Sequence, residues 1–385
     1  MKKPWRVRLL VGGICALAGA LILLWSLRPS PEDPGSVKVL AIKAAADDPI
    51  AVAELRHLGS NAVPSLARLL DYQDPFFRVR AWALAPILPK QWARALTAKV
   101  RPLEASAVRV AASKSLALLG PQAAAAVPSL LRTLRDPEPF IAMQAASTLG
   151  RIGKPSVSGL SKALSDKKPV IRHAAAFGLG EAGSAAKPAV PQLIQRLEDY
   201  DAQVRATSAY SLSLISCEVI AGLSNVIEHA DSAQRQSAAR ELVTFCQSLC
   251  SITPIASKME HQDEPDAEHI AMGLFGFVRS ADNQAVQALQ GALEDSDPNV
   301  RQAAVQGLVE LNWRAQAAVP AFRKCLQDAS SGVREWAARG LGAFGPKAEA
   351  AIIDLGLAEQ DKDPAVREAA EKALALIEVK WPTGH

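Results

Sequence analysis

Three cysteines and three histidines are the residues of this chain whose types and spacing raise a chemical question first. Cys246 and Cys250 stand four apart, one helical turn, and Cys217 precedes them in a similar setting. In an oxidising compartment a bond from Cys217 to Cys246 or Cys250 would pin two neighbouring elements; the same residues also serve as small buried hydrophobes. Glu228-His229, His261 and Glu268-His269 fall in the same stretch, residues 215 to 270. They are weak candidate ligands if the chain holds a metal; exposed turn residues are the default reading, and no metal is expected. Cys325 reads as buried. No nucleophile motif, phosphate-binding glycine loop or isolated carboxylate pair occurs, so no catalytic residue and no cofactor are expected.

A second group is basic. Five residues after a recurring Val stand Arg68, Arg132, Lys162, Gln195 and Lys324, with Arg196 and Arg323 beside two of them. If the segments that carry them stack, these side chains form a row that an acidic or extended protein segment would fit. The plainer reading is a solvated helix face.

The elements that must position these groups recur. Residues 295 to 328 contain a polar turn, a helix-spaced apolar run (Val300, Ala303, Ala304, Gly307, Leu308, Leu311), a loop, and Val319-Pro320 opening a second run that ends near Asp328. Proline suits the first turn of a helix, where its missing N–H is no loss. The unit is thus a helix pair, too small to bury its own apolar face. Aligned on one Arg, copies fall at Arg80, Arg109, Arg172, Arg205, Arg235, Arg301, Arg334 and Arg367, with Ala51, Ala142 and His269 in the same slot, 29 to 34 residues apart. Such a period signals a solenoid. Small pairs such as Ala111-Ala112 and Ala174-Ala175 let first helices approach closely, and Trp82 and Trp336 fill gaps at the corresponding position. An Asp six residues before the anchor in most copies predicts a structural ladder of alternating charge.

The D-x-x-x-x-V-R-x-A-A-x-x-L-G pattern followed by A-V-P-x-L resembles HEAT repeats, in particular the short bacterial type named after the phycobilisome lyases. The resemblance covers residues 37 to 380. It implies an all-α solenoid, a right-handed superhelix of about twenty-two helices, with second helices lining the concave side. It implies little about activity. Deoxyhypusine hydroxylases, a HEAT-like family, hold a di-iron centre with His-Glu pairs on symmetric repeats; here the order is reversed and only two pairs occur, so that set does not carry over. Nothing singles out a bilin site either.

Residues 1 to 8 hold Lys2, Lys3, Arg6 and Arg8 and no acid, and residues 9 to 27 carry no charge. As a helix that run spans a bilayer, and the flanking charge places the repeats on the extracytoplasmic, periplasmic side of a bacterial inner membrane. A cleaved signal peptide is the alternative, since Ala18-Gly19-Ala20 has suitable small residues. Cys15 lies in this run. Residues 28 to 36, with three prolines, read as a stiff tether, Val37 to Ala46 as a second helix capping the stack, and residues 381 to 385 as a tail. Departures from the repeat are expected at 86–106, as a kinked second helix, and at 215–270. Of 43 basic residues four precede Leu9, leaving 39 against 39 acidic ones; a neutral repeat region argues against a nucleic-acid partner. The expectation is a non-catalytic, membrane-anchored scaffold binding a protein. The competing class is a metal-dependent hydroxylase-like or lyase-like enzyme, or its accessory subunit, with a site in 215–270.

Overall fold

The computed structural model describes residues 36–87, 104–260, 266–311 and 317–378. The expected anchor at 9–27, its basic flank, nearly all of the tether, the tail and His261 lie outside them. The described residues are helical, without a strand, and form two compact units, up to Gly178 and from Leu179.

The first unit holds α1 (Val37–Ala45), α2 (Pro49–Leu58), α3 (Val63–Leu69), α4 (Phe76–Leu84), α5 (Ala105–Leu119), α6 (Val127–Thr133), α7 (Pro139–Ile152), α8 (Lys154–Ala163) and most of α9 (Pro169–Glu181). First helices pack on first helices, α5 on α7, and second helices on second helices, α3 on α6 and α6 on α8. Alanine makes this possible. Ala111, Ala112, Ala145, Ala146, Ala174 and Ala175 are all buried. A Cβ on Gly178 of α9 would stand 2.7 Å from the carbonyl oxygen of Ala146 on α7, so backbones here are nearly in contact.

The second unit continues with α10 (Val190–Arg196), α11 (Ala202–His229), α12 (Ser232–Leu249), α13 (Ile252–Glu260), α14 (Ala267–Ala292), α15 (Pro298–Glu310), α16 (Val319–Cys325), α17 (Ser331–Phe344), α18 (Ile352–Ala358) and α19 (Pro364–Glu378). Here α12 packs on α15, α15 on α17 and α17 on α19.

In four copies one slot marks where the first helix stops. Gly120, Gly153, Gly183 and Gly345 stand eleven residues after Arg109, Ala142, Arg172 and Arg334, with φ between 54° and 79°. At Gly120, Gly153 and Gly345 ψ lies between −129° and −138°, a region in which only glycine is unstrained. The chain breaks there and the second helix follows. After Arg205, Arg235 and His269 the slot holds Ser216, Cys246 and Ser280, and the helix runs on. Hence α11 has 28 residues and α14 has 26. The described residues hold nineteen α-helices, below the count expected for the chain, partly because these two are unbroken.

Three sequence expectations change. Val37–Ala45 is not a capping second helix: it packs beside the first helix α5, separated from α2 by a break at Asp47, whose φ is 62°. The copy at His269 is not a helix pair. The copy at Arg80 does not stand between its neighbours, because α1, α2 and α3 pack directly on α5. The turn after α3 joins α5 in space: Asp74 accepts hydrogen bonds from the backbone N–H groups of Glu104 (3.0 Å) and Ala105 (2.9 Å), and Arg109 Nη1 donates to the Tyr72 carbonyl. Glu104 in turn accepts from Lys38 Nζ at 3.0 Å and from the Tyr72 hydroxyl at 3.1 Å. Residues 75 to 103 are an insertion at that joint. The kinked second helix expected at 86–106 falls largely on residues outside the described set.

Among the described residues α11 is long and apolar enough to cross a membrane, by length and composition alone. Its buried face, including Val204, Leu212, Ile215 and Val219, belongs to a helix that packs against α10, α12 and α14.

Candidate protein-binding face

The repeat Arg and Asp side chains are consumed by the fold. Arg334 Nε and Nη2 donate to Asp361 at 2.7 and 2.9 Å, while Nη1 donates to the carbonyls of Asp328 and Ala329. Arg301 grips Asp328 in the same way, both contacts at 2.8 Å. Arg109 Nε lies 2.9 Å from Asp136, and Arg235 Nε 2.7 Å from Asp295. Each Asp also accepts the N–H two residues on, as Asp328 does from Ser330 at 2.8 Å. Three of the pairs span 27 residues; Arg235 and Asp295 are 60 apart, so the ladder passes over α13 and α14, and exposed His269 takes no part in it. The arginine hydrogen bond holds the Asp361 carboxyl below the usual carboxylate range. For Asp295 and Asp328 burial pulls upward, but the bonds from Arg235 and Arg301 and from the turn N–H prevail and the net direction is down. This ladder is structural, and its charges are not available to a partner.

The second helices differ. Arg68, Arg132 and Lys162 are exposed on α3, α6 and α8, successive packed helices of the first unit. Among the described residues Arg68 donates only to the Pro64 carbonyl one turn back. Arg132 bridges to Asp71 at 3.3 Å, with both side chains more than 60% exposed; such a bridge is worth at most about 1 kcal/mol and yields readily to a competitor. Lys162 has no polar partner among the described residues. In the second unit Gln195 on α10 and Lys324 on α16 are exposed as well, with α11 to α15 between them in the chain. Arg196 pairs with Asp199 and Arg323 with Asp354. The structure therefore brings three of the seven row residues together on adjoining helices and places three of the seven in ion pairs, Arg132 in an exposed one and Arg196 and Arg323 in half-buried ones. In α18 the row ends in apolar residues: Ile353 and Leu357, one and five after the leading Ile352, are 78% and 66% exposed. Aligning Ile352 with the repeated Val would have found them.

The candidate residues of 215–270 that the structure describes are not brought together, and His261 lies outside the described residues. Cys217, Cys246, Cys250 and Cys325 are free thiols. Cys217 is exposed on α11, whereas Cys246 is fully buried in α12 in the glycine slot, so the bond considered between them is not formed. His229 ends α11 beside Glu228 with both side chains about two-thirds exposed, and its Nδ1 lies 3.2 Å from the Asn225 carbonyl; His269 is exposed at the start of α14. Among the described residues no three His, Cys, Asp or Glu side chains converge. Trp82 and Trp336 are half-buried, with Arg339 5.0 Å over the Trp336 ring. A cleft of about 210 Å³ between α17 and α19 is lined by Arg339, Gly342, Glu368, Lys372 and Leu376 among others. It is smaller than the roughly 300 Å³ at which small-molecule sites begin.

A family model described as HEAT repeats matches residues 93–180, 157–244 and 286–375. No curated protein matches the chain. Among solved structures, human deoxyhypusine hydroxylase in complex with glycerol is 20% identical, covering 84% of this chain and 98% of that one, with a TM-score of 0.31. The complex of CpcE and CpcF of phycocyanin lyase from Nostoc is 21% identical, covering 65% and 94%, with a TM-score of 0.25. Importin beta is 14% identical, covering 89% and 55%, with a TM-score of 0.24. None of these likenesses bears on activity.

Proposed function

The chain belongs to the HEAT-repeat family, and on that premise we propose that it is a non-catalytic scaffold, held at a bacterial inner membrane through residues 9–27, that binds a protein partner along its second helices. The observation that carries this reading is the contrast between two sets of cations. The repeat arginines are locked into turns and neighbouring carboxylates, while Arg68, Arg132 and Lys162 stand exposed on three successive second helices, and among the described residues Lys162 has no polar partner, Arg68 only a carbonyl of its own helix and Arg132 a solvent-exposed bridge to Asp71 and contacts within its own helix. A partner presenting carboxylates at the spacing of those helices gains from each repeat a small increment of contact and charge. The apolar flank of the N-terminus and the four cations before it support attachment with the repeats outside the cytoplasm.

The test is in-membrane crosslinking of the full chain against a variant carrying Arg68→Glu, Arg132→Glu and Lys162→Glu, with helical content confirmed unchanged. A crosslinked protein present with the first and lost with the second supports the reading. The same crosslinked set with both shows a merely solvated face. Protease protection of the repeats in intact spheroplasts would reverse the assigned topology.

A further inference from the structure

Among the exposed cations on the second helices of the first unit stands one carboxylate that belongs to no repeat rule. Asp71, in the turn after α3, reaches across to α6 and accepts from Arg132 Nη2 at 3.3 Å, while the same nitrogen donates to Ser129 Oγ at 3.1 Å on its own helix. Among the described residues the Asp71 carboxylate has no other partner, and its side chain is 62% exposed. The arrangement is not repeated. Asp71 stands eight residues after Val63; eight after Val127 is Arg135, and eight after Val157 is Ser165. No counterpart of Asp71 therefore meets Lys162 on α8.

The surroundings restrict what can lie on this face. Pro64, Pro128 and Ser158 are exposed one residue after each leading Val, and among the described residues no large apolar side chain on α3, α6 or α8 is exposed. An amphipathic helix would find nothing against which to bury its apolar stripe. Because α3 packs on α6 and α6 on α8, Arg68, Arg132 and Lys162 recur at the helix-to-helix distance of about 8–10 Å. A β-strand shows one face at every second residue, about 7 Å apart, which falls out of step with that distance. A polyproline-type segment turns once in three residues and advances about 9 Å, which stays in step.

We propose that this face takes an extended partner segment with an acidic side chain at every third residue, and that Asp71 is an intramolecular placeholder for one of its carboxylates, displaced when the segment binds. The inference rests on the proposed binding face and adds the partner's register and a residue that holds its affinity down. Arg132 must release Asp71 to the incoming carboxylate, and a bridge between side chains that are 61% and 62% exposed is weak enough to yield.

The experiment uses the full chain in non-ionic detergent at low salt and two dye-labelled synthetic peptides of equal composition. One repeats Glu-Pro-Pro; the other sorts the same residues into a glutamate block and a proline block. Fluorescence anisotropy gives the affinities, and circular dichroism confirms unchanged helical content in each variant. The expected result is tighter binding of the repeating peptide, weakened about fivefold or more by Lys162→Glu, since one exposed pair is worth up to about fivefold and the reversed charge adds repulsion. Asp71→Asn tightens it about two- to fivefold. Glu368→Gln, the same change of charge at an exposed bridge in the second unit, leaves it unaltered. Binding that survives Arg68→Glu, Arg132→Glu and Lys162→Glu together places the peptide elsewhere and counts against the face itself, and so against the proposed function. Binding that is lost in that triple variant but does not distinguish the two peptides, or does not tighten in Asp71→Asn, overturns the register and the placeholder alone. Failure of both peptides to bind overturns the inference too, and the membrane crosslinking then decides the face separately.

Discussion

Replacing Asp361 with Ala tests whether the charge ladder holds neighbouring repeats together. Asp361 accepts from Arg334 Nε and Nη2 at 2.7 and 2.9 Å and from the Asp363 N–H at 2.9 Å, and the two side chains are only 7% and 13% exposed. Breaking a fully buried pair costs about 3–5 kcal/mol and an exposed one at most about 1. In Asp361→Ala the stranded guanidinium keeps its Nη1 bonds to the carbonyls of Asp328 and Ala329 at 2.8 and 3.2 Å, which places the expected loss between these limits, at about 2–3 kcal/mol. Glu368→Ala, which removes a bridge to Lys372 whose side chains are 69% and 65% exposed, should leave stability unchanged. Adding Arg334→Met to Asp361→Ala should recover part of the loss, because the uncompensated charge goes with it. Repeat arrays open locally, so the assay is amide hydrogen exchange resolved to α17 and α19, alongside urea unfolding followed by circular dichroism. A loss for Asp361→Ala no larger than for Glu368→Ala, or a double variant as unstable as the two singles summed, would refute the reasoning.

Gly153→Ala meets no atom within 4 Å but must hold φ at 79°, so denaturant unfolding should show about 1–3 kcal/mol lost to backbone strain alone. Gly178→Ala, whose Cβ would lie 2.7 Å from the Ala146 oxygen, should cost at least as much through steric displacement, and a neutral result at either position would contradict the geometry. Burial pushes the Cys325 thiol up to about 11, so an aromatic disulfide reagent at pH 8 should modify exposed Cys217 at once and Cys325 only after denaturation. Acid should unfold the chain. The carboxyls of Asp166, held down chiefly by the Lys168 N–H, and of Asp361, held down by Arg334, lie below the ordinary value of 3.8 in the folded state. The unfolded chain then binds more protons near that value, so stability is fully present above it and drains as pH falls through the folded values. The urea midpoint should be flat above about pH 5 and fall below about pH 4, with a shallower fall in Asp361→Ala; a midpoint that rises on acidification would reverse the argument.

Much of the fold was legible because the repeat makes the same physical demands many times over. Paired alanines, an Arg facing the next turn's Asp, and Val-Pro opening a second helix each recur often enough to be read without a structure. What was misread is where one residue imitates a signal without its companions. Val79-Arg80 falls at the right period and precedes Trp82, yet the stretch that follows lacks the small pair and the Val-Pro opening. The anchor residue alone does not make a repeat. The absence of any acid from 75 to 103 was visible in the sequence and marks the insertion better than the period does.

The glycine slot explains the other misreading and shows what kind of information a period omits. Arg205 and His269 occupy anchor positions at acceptable spacing, so a periodic reading assigns each a helix pair. In both, the slot eleven residues later lacks the glycine that takes a positive φ in four other copies. With Ser216 or Ser280 there, continuing the helix avoids a strain of about 1–3 kcal/mol, and α11 and α14 run straight through. The ladder then has to reach from Arg235 past two helices to Asp295. Side chains bearing on the candidate face were less legible for a related reason: exposure depends on what the neighbouring helix offers. Arg196 and Arg323, one residue to either side of the row position, carry the charge the row would require, but Asp199 and Asp354 sit within reach, while among the described residues nothing of the kind reaches Lys162. Among the described residues Lys162 has no carboxylate beside it and Arg132 has one that is itself largely in solvent, and that is a property of the stack rather than of any one repeat.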